Sequence, residues 1–410
     1  MRRVVVTGLG MVAPTGNCVR DAWEAALAGR SAVDRISLFD PADLPVRIAA
    51  EVRGFDAATV MSPKEARQTS RFVQFAAGAA REAIADSGLN LTNGVNRYGC
   101  IVGVGLGAFA DIEAGAHTYR DAGPRRISPL LLPYTIPNMA AGFISLSHDL
   151  RGPTFCTATA CASGTHAVGE AFLHIATGTA DAMVTGGAES ATSPLSVAAF
   201  ARMRTLSTRN DAPAEASRPF DLHRDGFVMG EGSGIVVLEE YEHARRRGAT
   251  IYAEIVGYGL SSDAHHITSP SPEGEGIVRA MESALTAGSV PSDQVEYINA
   301  HGTATQANDA SESAAIEIVF GGHARSISIS STKGVTGHCL GAAGGIEAVY
   351  TVLAVHHGLV PPTANYRTPD PACRLDYTPN EPRRRPIRYA LSNSCGFGGQ
   401  NAAIVFKRFS

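Results

Sequence analysis

Thr157-Ala158-Thr159-Ala160-Cys161-Ala162-Ser163-Gly164 sets one thiol among small residues, where the backbone can turn tightly and a ligand can come close. Residues 165–178 then read as a helix, because Val168, Phe172 and Ile175 recur at offsets of four and three and Gly178 is placed to end it. Cys161 therefore stands at or just before a helix N-terminus, whose unpaired N–H groups would lower the thiol pKa and favour the reactive thiolate. A free cysteine can equally pack as a small buried hydrophobe. The surrounding chain has to decide between the two.

Working outward, residues 3–7 form a short β-branched strand, and Gly8-Leu9-Gly10-Met11-Val12-Ala13 formally matches the dinucleotide pattern G-x-G-x-x-A. That pattern needs a helix opening at the glycines, whereas Pro14-Thr15-Gly16-Asn17 intervene before the helix at 19–27, so a structural turn is expected instead. Helices are predicted at 63–87 and 137–144, and strands at 98–104, 182–185 and 232–239. From residue 251 the order begins again: strand 251–257, helix 276–287, strand 295–300, helix 311–320, strand 326–330, helix 344–357, and strands 389–394 and 401–406. Alternation of this kind predicts an α/β body with sheets covered on both faces, built from two similar halves. Polar, proline-containing stretches at 207–218 and 368–385 read as surface loops.

Composition narrows the function. With 410 residues, 44% apolar and 18% charged, the chain has enough material for a large core under an ordinary surface. Its 43 glycines exceed the usual ~7% and forecast many close backbone approaches. A net charge of −4 gives no support to non-specific nucleic-acid binding. Seven scattered cysteines without a C-x-x-C pair suit neither a disulfide framework nor a zinc site, so no metal is expected. They suit a reducing cytosol. The apolar run at 349–355 is too short to span a bilayer, and glycines break the N-terminal apolar run too early for a signal peptide. A cytoplasmic protein is expected.

Three further stretches follow predicted strands. Asn299-Ala300-His301-Gly302-Thr303-Ala304-Thr305 offers a histidine and two hydroxyls, and Ser331-Thr332-Lys333-Gly334-Val335-Thr336-Gly337-His338 a lysine and a second histidine, before the helix bearing Glu347. Ser394-Cys395-Gly396-Phe397-Gly398-Gly399-Gln400-Asn401 sets one aromatic among three glycines. Singly, each has a structural explanation. Their shared position matters more, since ligands of α/β folds gather at the carboxyl ends of strands.

Together, and in this order, the four stretches resemble the β-ketoacyl–acyl carrier protein synthases, most closely the elongating ketosynthase II type. Gly123-Pro124-Arg125-Arg126-Ile127-Ser128-Pro129, Ser217-Arg218-Pro219-Phe220-Asp221 and Arg224-Asp225-Gly226-Phe227 extend the likeness to nearly the whole chain. The resemblance implies the thiolase fold, an α/β body of duplicated halves in a five-layered αβαβα arrangement, usually dimeric. The halves would be residues 1–250, with Cys161, and 251–410, with His301, Lys333 and His338. It implies Cys161 as the acyl-accepting nucleophile and His301 and His338 as promoters of malonyl decarboxylation. Lys333 would hold the charge balance, with Glu347 as partner, or alternatively serve as general base. Phe397 would gate the site, and its N–H would join that of Cys161 in an oxyanion hole. Thr268, Thr303, Thr305, Gly398 and Gly399 would bind substrate. Lys64, Arg67 and Arg204 would dock an acyl carrier protein, whose phosphopantetheine arm brings the substrates, so that no separate cofactor is expected.

This sequence departs from the family at Gln306-Ala307-Asn308, where Pro-Leu-Gly is common, at Gly334, often Ser, and at Cys395, often Phe. The expected reaction is decarboxylating condensation in fatty-acid elongation. The alternative is a type II polyketide or polyene ketosynthase, paired with a related chain-length-factor-like partner. A non-catalytic relative is disfavoured because Cys161 and both histidines are present, and those histidines also disfavour a thiolase.

Overall fold

The computed structural model describes residues 1–410. Ten strands form its main sheet: β1 (Val4–Val12), β2 (Tyr98–Gly103), β3 (Thr154–Thr157), β4 (Ala182–Glu189), β5 (Gly232–Glu240), β6 (Ala253–Ser262), β7 (Val295–Asn299), β8 (Ser328–Ser330), β9 (Tyr389–Gly396) and β10 (Gln400–Arg408). Their spatial order is β8-β7-β9-β10-β6-β1-β5-β4-β2-β3. Numbered within each half, both run third, second, fourth, fifth, first. In both halves the fifth strand is antiparallel to its two neighbours and the second is parallel to the third and fourth. The repeat that sequence order suggested is thus present strand for strand.

Six helices complete the repeat: α1 (Arg71–Ser87), α2 (Met139–His148) and α3 (Ser163–Ala176) in the first half, and α4 (Glu275–Ala287), α5 (Gln306–Phe320) and α6 (Ala343–His357) in the second. Helices α1 and α2 cover the outer face of the first half-sheet, and α4, with α5 against it, that of the second. Helices α3 and α6 touch each other and strands of both halves. Helix, sheet, helix, sheet, helix gives five layers. Separate apolar clusters fill the two outer gaps, and one continuous cluster surrounds α3 and α6. The half-sheets meet where Val4–Val6 pair with Ala253–Ile255.

Two local expectations are corrected. Strand β1 does not stop at Gly8 but continues to Val12, buried throughout. A Cβ at Gly8 or Gly10 would run into the α1 carbonyls of Ala83 and Ala79, so these glycines admit a helix rather than make a turn. Gly257 and Gly259 of β6 do the same for α4 at Ala284 and Ala280. The helix predicted at 63–87 is two pieces, Pro63–Ala66 and α1. Ser62 and Glu65 form a capping box at the first, while Ser70 is extended and its hydroxyl donates to Tyr134 O at 2.7 Å. The intervening Arg67-Gln68-Thr69 has no apolar face to bury.

Candidate active site

A cavity of about 820 Å³ opens where the carboxyl ends of the parallel strands from both halves converge. Cys161 reaches it from a 3-10 turn, Ala160–Ala162, that leads into α3. Ala160 has φ +50°, an uncommon left-handed setting for a residue with a Cβ, which presents the next side chain at a sharp bend. The bend is held by Ser163 Oγ, which accepts from Thr159 N at 2.9 Å and donates to Ala160 O at 2.7 Å. Gly396 lies so close that a Cβ there would strike Thr159 O, and this brings the 396–399 loop against the cysteine turn.

His301 and His338 enter from the loops after β7 and β8, their rings 5.4 Å apart and nearly perpendicular. Glu312 of α5 accepts His301 N and Gly302 N, each at 2.8 Å, and so fixes the first loop. His338 N donates to Val228 O at 2.7 Å, and Phe227 packs edge-on against its ring at 5.3 Å. Lys333, behind the cavity wall, donates to His301 O at 2.6 Å, contacts His301 Nδ1 at 3.4 Å and pairs with Glu347. An ammonium has no lone pair, so Nδ1 of His301 must be the acceptor and its proton sits on Nε2. Nδ1 of His338 is sealed in without a partner, which leaves Nε2 as its open nitrogen. Burial and the Lys333 charge hold both imidazoles well below the usual histidine range, so both are neutral N–H donors near pH 7. Glu347 matches the charge of Lys333 inside the protein.

The backbone N–H groups of Cys161 and Phe397 donate to no acceptor within the protein. Phe397 is half-buried and lines the cavity, as do Thr268, Thr303, Thr305 and Gly399. Gly398 does not reach the wall. Its N–H donates to Ile267 O at 2.8 Å and ties the Phe397 loop to the Thr268 loop. Arg204 is exposed at the cavity rim, whereas Lys64 and Arg67 are exposed on and just after the short helix Pro63–Ala66, off the wall.

One expectation is reversed. The Cys161 thiol, 9% exposed, is pushed up to about 12 by burial, with the Lys333 charge pulling the other way. Loss of hydration outweighs the helix N-terminus. Alkylation of Cys161 by iodoacetamide, followed on its own peptide by mass spectrometry, is therefore expected to rise roughly tenfold per pH unit from 7 to 9. A plateau near neutrality would contradict a buried, protonated thiol.

Two supporting residues had no role assigned from sequence. Glu189, at the end of β4, accepts from Gly105, Leu106, Gly107 and Gly341 N–H at 2.5–3.1 Å, joining the loop after β2 to the turn before α6; burial lifts its carboxyl to about 7. Arg224, buried between Asp309 and Asp370, anchors the carbonyls of Thr305 and Gln306. The acid closing the glycine-containing strand run Gly186-Gly187-Ala188-Glu189 was the one local signal.

The chain matches the β-ketoacyl synthase N-terminal domain over residues 1–244 and the C-terminal domain over 252–367. The chain belongs to the β-ketoacyl synthase family. Among its curated relatives, 3-oxoacyl-[acyl-carrier-protein] synthase 2 of Coxiella burnetii (strain RSA 493 / Nine Mile phase I) is 51% identical over 409 residues, 99% of each chain. Two solved structures, the ishigamide ketosynthase/chain length factor and a type II polyketide ketosynthase in complex with its acyl-carrier protein and a hexaketide, each superpose with a TM-score of 0.93 at 36% identity over 100% of both chains. The fold is the thiolase-like fold of these ketosynthases. No helix of this synthase is long and apolar enough to cross a membrane.

Proposed function

We propose that this synthase condenses an acyl group held on Cys161 with malonyl-acyl carrier protein, releasing carbon dioxide and 3-oxoacyl-acyl carrier protein, in fatty-acid elongation. One observation carries the reading: a buried thiol and two neutral histidines line one cavity. Cys161 Sγ attacks the acyl thioester carbonyl, the oxygen takes up charge toward the N–H groups of Cys161 and Phe397, and the arm leaves as its thiol with the proton. Malonyl thioester then loses carbon dioxide. The C–C bonding pair passes to the thioester oxygen, where His301 and His338 donate from Nε2. The enolate carbon attacks the acyl-cysteine, and collapse returns the thiolate, which is reprotonated. Lys333 and Glu347 set the tautomer and position of His301. The chemistry rests on side chains and the substrate-bearing arm, without a further cofactor or metal. The fatty-acid reading is preferred to the polyketide one because identity is higher to the 3-oxoacyl synthases than to the polyketide enzymes. Conversion of acyl- and malonyl-acyl carrier protein to one 3-oxoacyl product, longer by two carbons, with one carbon dioxide, tests it; decarboxylation without chain extension would refute it.

In this proposal the catalytic halves are residues 1–250 and 251–410, as the repeated strand order supports. The working unit is a homodimer joined along β3, whose outer edge pairs with no other strand and which carries exposed Phe155, while α2 carries exposed Leu146. A cytosolic setting fits seven unpaired cysteines. Lys64, Arg67 and Arg204 offer local positive charge to an acidic carrier protein on a body of net charge −4. Lys64→Glu with Arg67→Glu is expected to raise KM for carrier-bound substrate roughly tenfold. A small pantetheine thioester should be turned over as before, and equal loss on both substrates would remove the docking role.

A further inference from the structure

Asn308 lies on the cavity wall at the first turn of α5, close to Thr303 and Thr305. Its backbone N–H donates to Thr305 Oγ1 at 3.3 Å, and the two threonine hydroxyls are 3.0 Å apart, so one short segment presents three polar side chains to the lumen. The Asn308 side chain is 9% exposed and its Nδ2 donates to Asp309 Oδ1 at 3.1 Å. Asp309 accepts Phe220 N at 2.7 Å and Ala304 N at 3.2 Å and faces Arg224 at 3.6 Å, so its carboxylate acts only as an acceptor. That settles which end of the amide is which: nitrogen toward Asp309, oxygen toward the cavity.

Asn308 Oδ1 has no partner within the protein, yet it is not sealed off from the lumen. Holding the helix start does not require it, because Thr305 already caps the helix and Asp309 already ties the turn to Arg224. A nearly buried amide oxygen without a donor is costly unless a ligand supplies one. The arm on which the substrates of the proposed reaction arrive carries secondary amides, whose N–H groups are such donors. Relatives that carry glycine at this position have no equivalent acceptor.

We propose that Asn308 Oδ1 accepts a hydrogen bond from an amide N–H of the substrate-bearing arm and helps to bind and orient the thioester. This rests on the condensing-enzyme reading and adds to it a binding residue particular to this chain. The test compares kcat/KM for acylation of Cys161 by a pantetheine thioester and by the ethanethiol thioester of the same acyl group, which has no amide. In Asn308→Ala and Asn308→Gly the preference for the pantetheine thioester is expected to fall about five- to tenfold, the range of one neutral hydrogen bond. On the unaltered protein, N-methylation of the arm amides should cause the same loss, and Asn308→Ala should be insensitive to it. An unchanged preference in both variants, or an unaltered protein indifferent to N-methylation, would overturn the assignment. Failure of the unaltered protein to acylate Cys161 with either thioester would overturn the underlying function, and this assignment with it.

Discussion

Cys161→Ala is expected to abolish acyl-enzyme formation and lower condensation by at least about 10⁴-fold, the scale seen when a nucleophile is removed from a working constellation. Carbon dioxide release from a malonyl thioester should survive, because the enolate is stabilised by other groups. His301→Ala and His338→Ala should show the reverse pattern. Each should still be acylated on Cys161, while decarboxylation falls about 10²–10³-fold with the loss of one aligned donor. The separation follows from the site's geometry: the thiol and its N–H donors belong to the α3 turn and the Phe397 loop, the imidazoles to the loops after β7 and β8. Single-turnover acylation and carbon dioxide release, measured separately, check it. Folded histidine variants that fail to acylate would make the imidazoles the base for the thiol and overturn this division of labour.

Lys333 and Glu347 carry the second large effect. Both are almost completely buried, and contact with Lys333 opposes the upward push that burial gives the Glu347 carboxyl. Removing one partner leaves the other as an uncompensated buried charge, so Lys333→Ala and Glu347→Ala are each expected to cost about 3–5 kcal/mol of stability. Lys333→Met with Glu347→Leu should recover most of that loss, because replacing both charges by apolar groups of similar size is often neutral. Activity should not return with stability. Without the ammonium at Nδ1, His301 is free to adopt the other tautomer, and decarboxylation should stay impaired while Cys161 remains acylable. Denaturant unfolding of the four proteins measures the two losses and the recovery. Full activity in the double variant would show that Lys333 does not act on His301.

Much of this was legible because glycine and histidine sit where strands end. The β-branched runs of β1, β2, β5 and β10, the restart near residue 251 and the four motif stretches all survive in the structure, and the cavity draws together residues from Gly105 to Asn401. Tertiary packing decided the rest. Nothing local distinguishes the glycines of β1 from turn glycines; only the approach of α1 explains them. Strand β3 is four residues at an edge, too short and too exposed to show alternation. The helix Phe109–Ala122 buries none of its residues, so no apolar period marks it. The Cys161 pKa turned on desolvation, a property of the assembled site, and Glu189 acts on backbone groups far from it in sequence.

In the proposed mechanism Cys161 carries the acyl chain and surrenders it to a malonyl-derived enolate. Peptide mass spectrometry after exposure to acyl-acyl carrier protein should find the acyl mass on Cys161 and on none of the other six cysteines. Addition of malonyl-acyl carrier protein should then return Cys161 to the free thiol as the 3-oxoacyl product appears. Acylation elsewhere, or an acyl-Cys161 that persists while product forms, would rule out this role for Cys161.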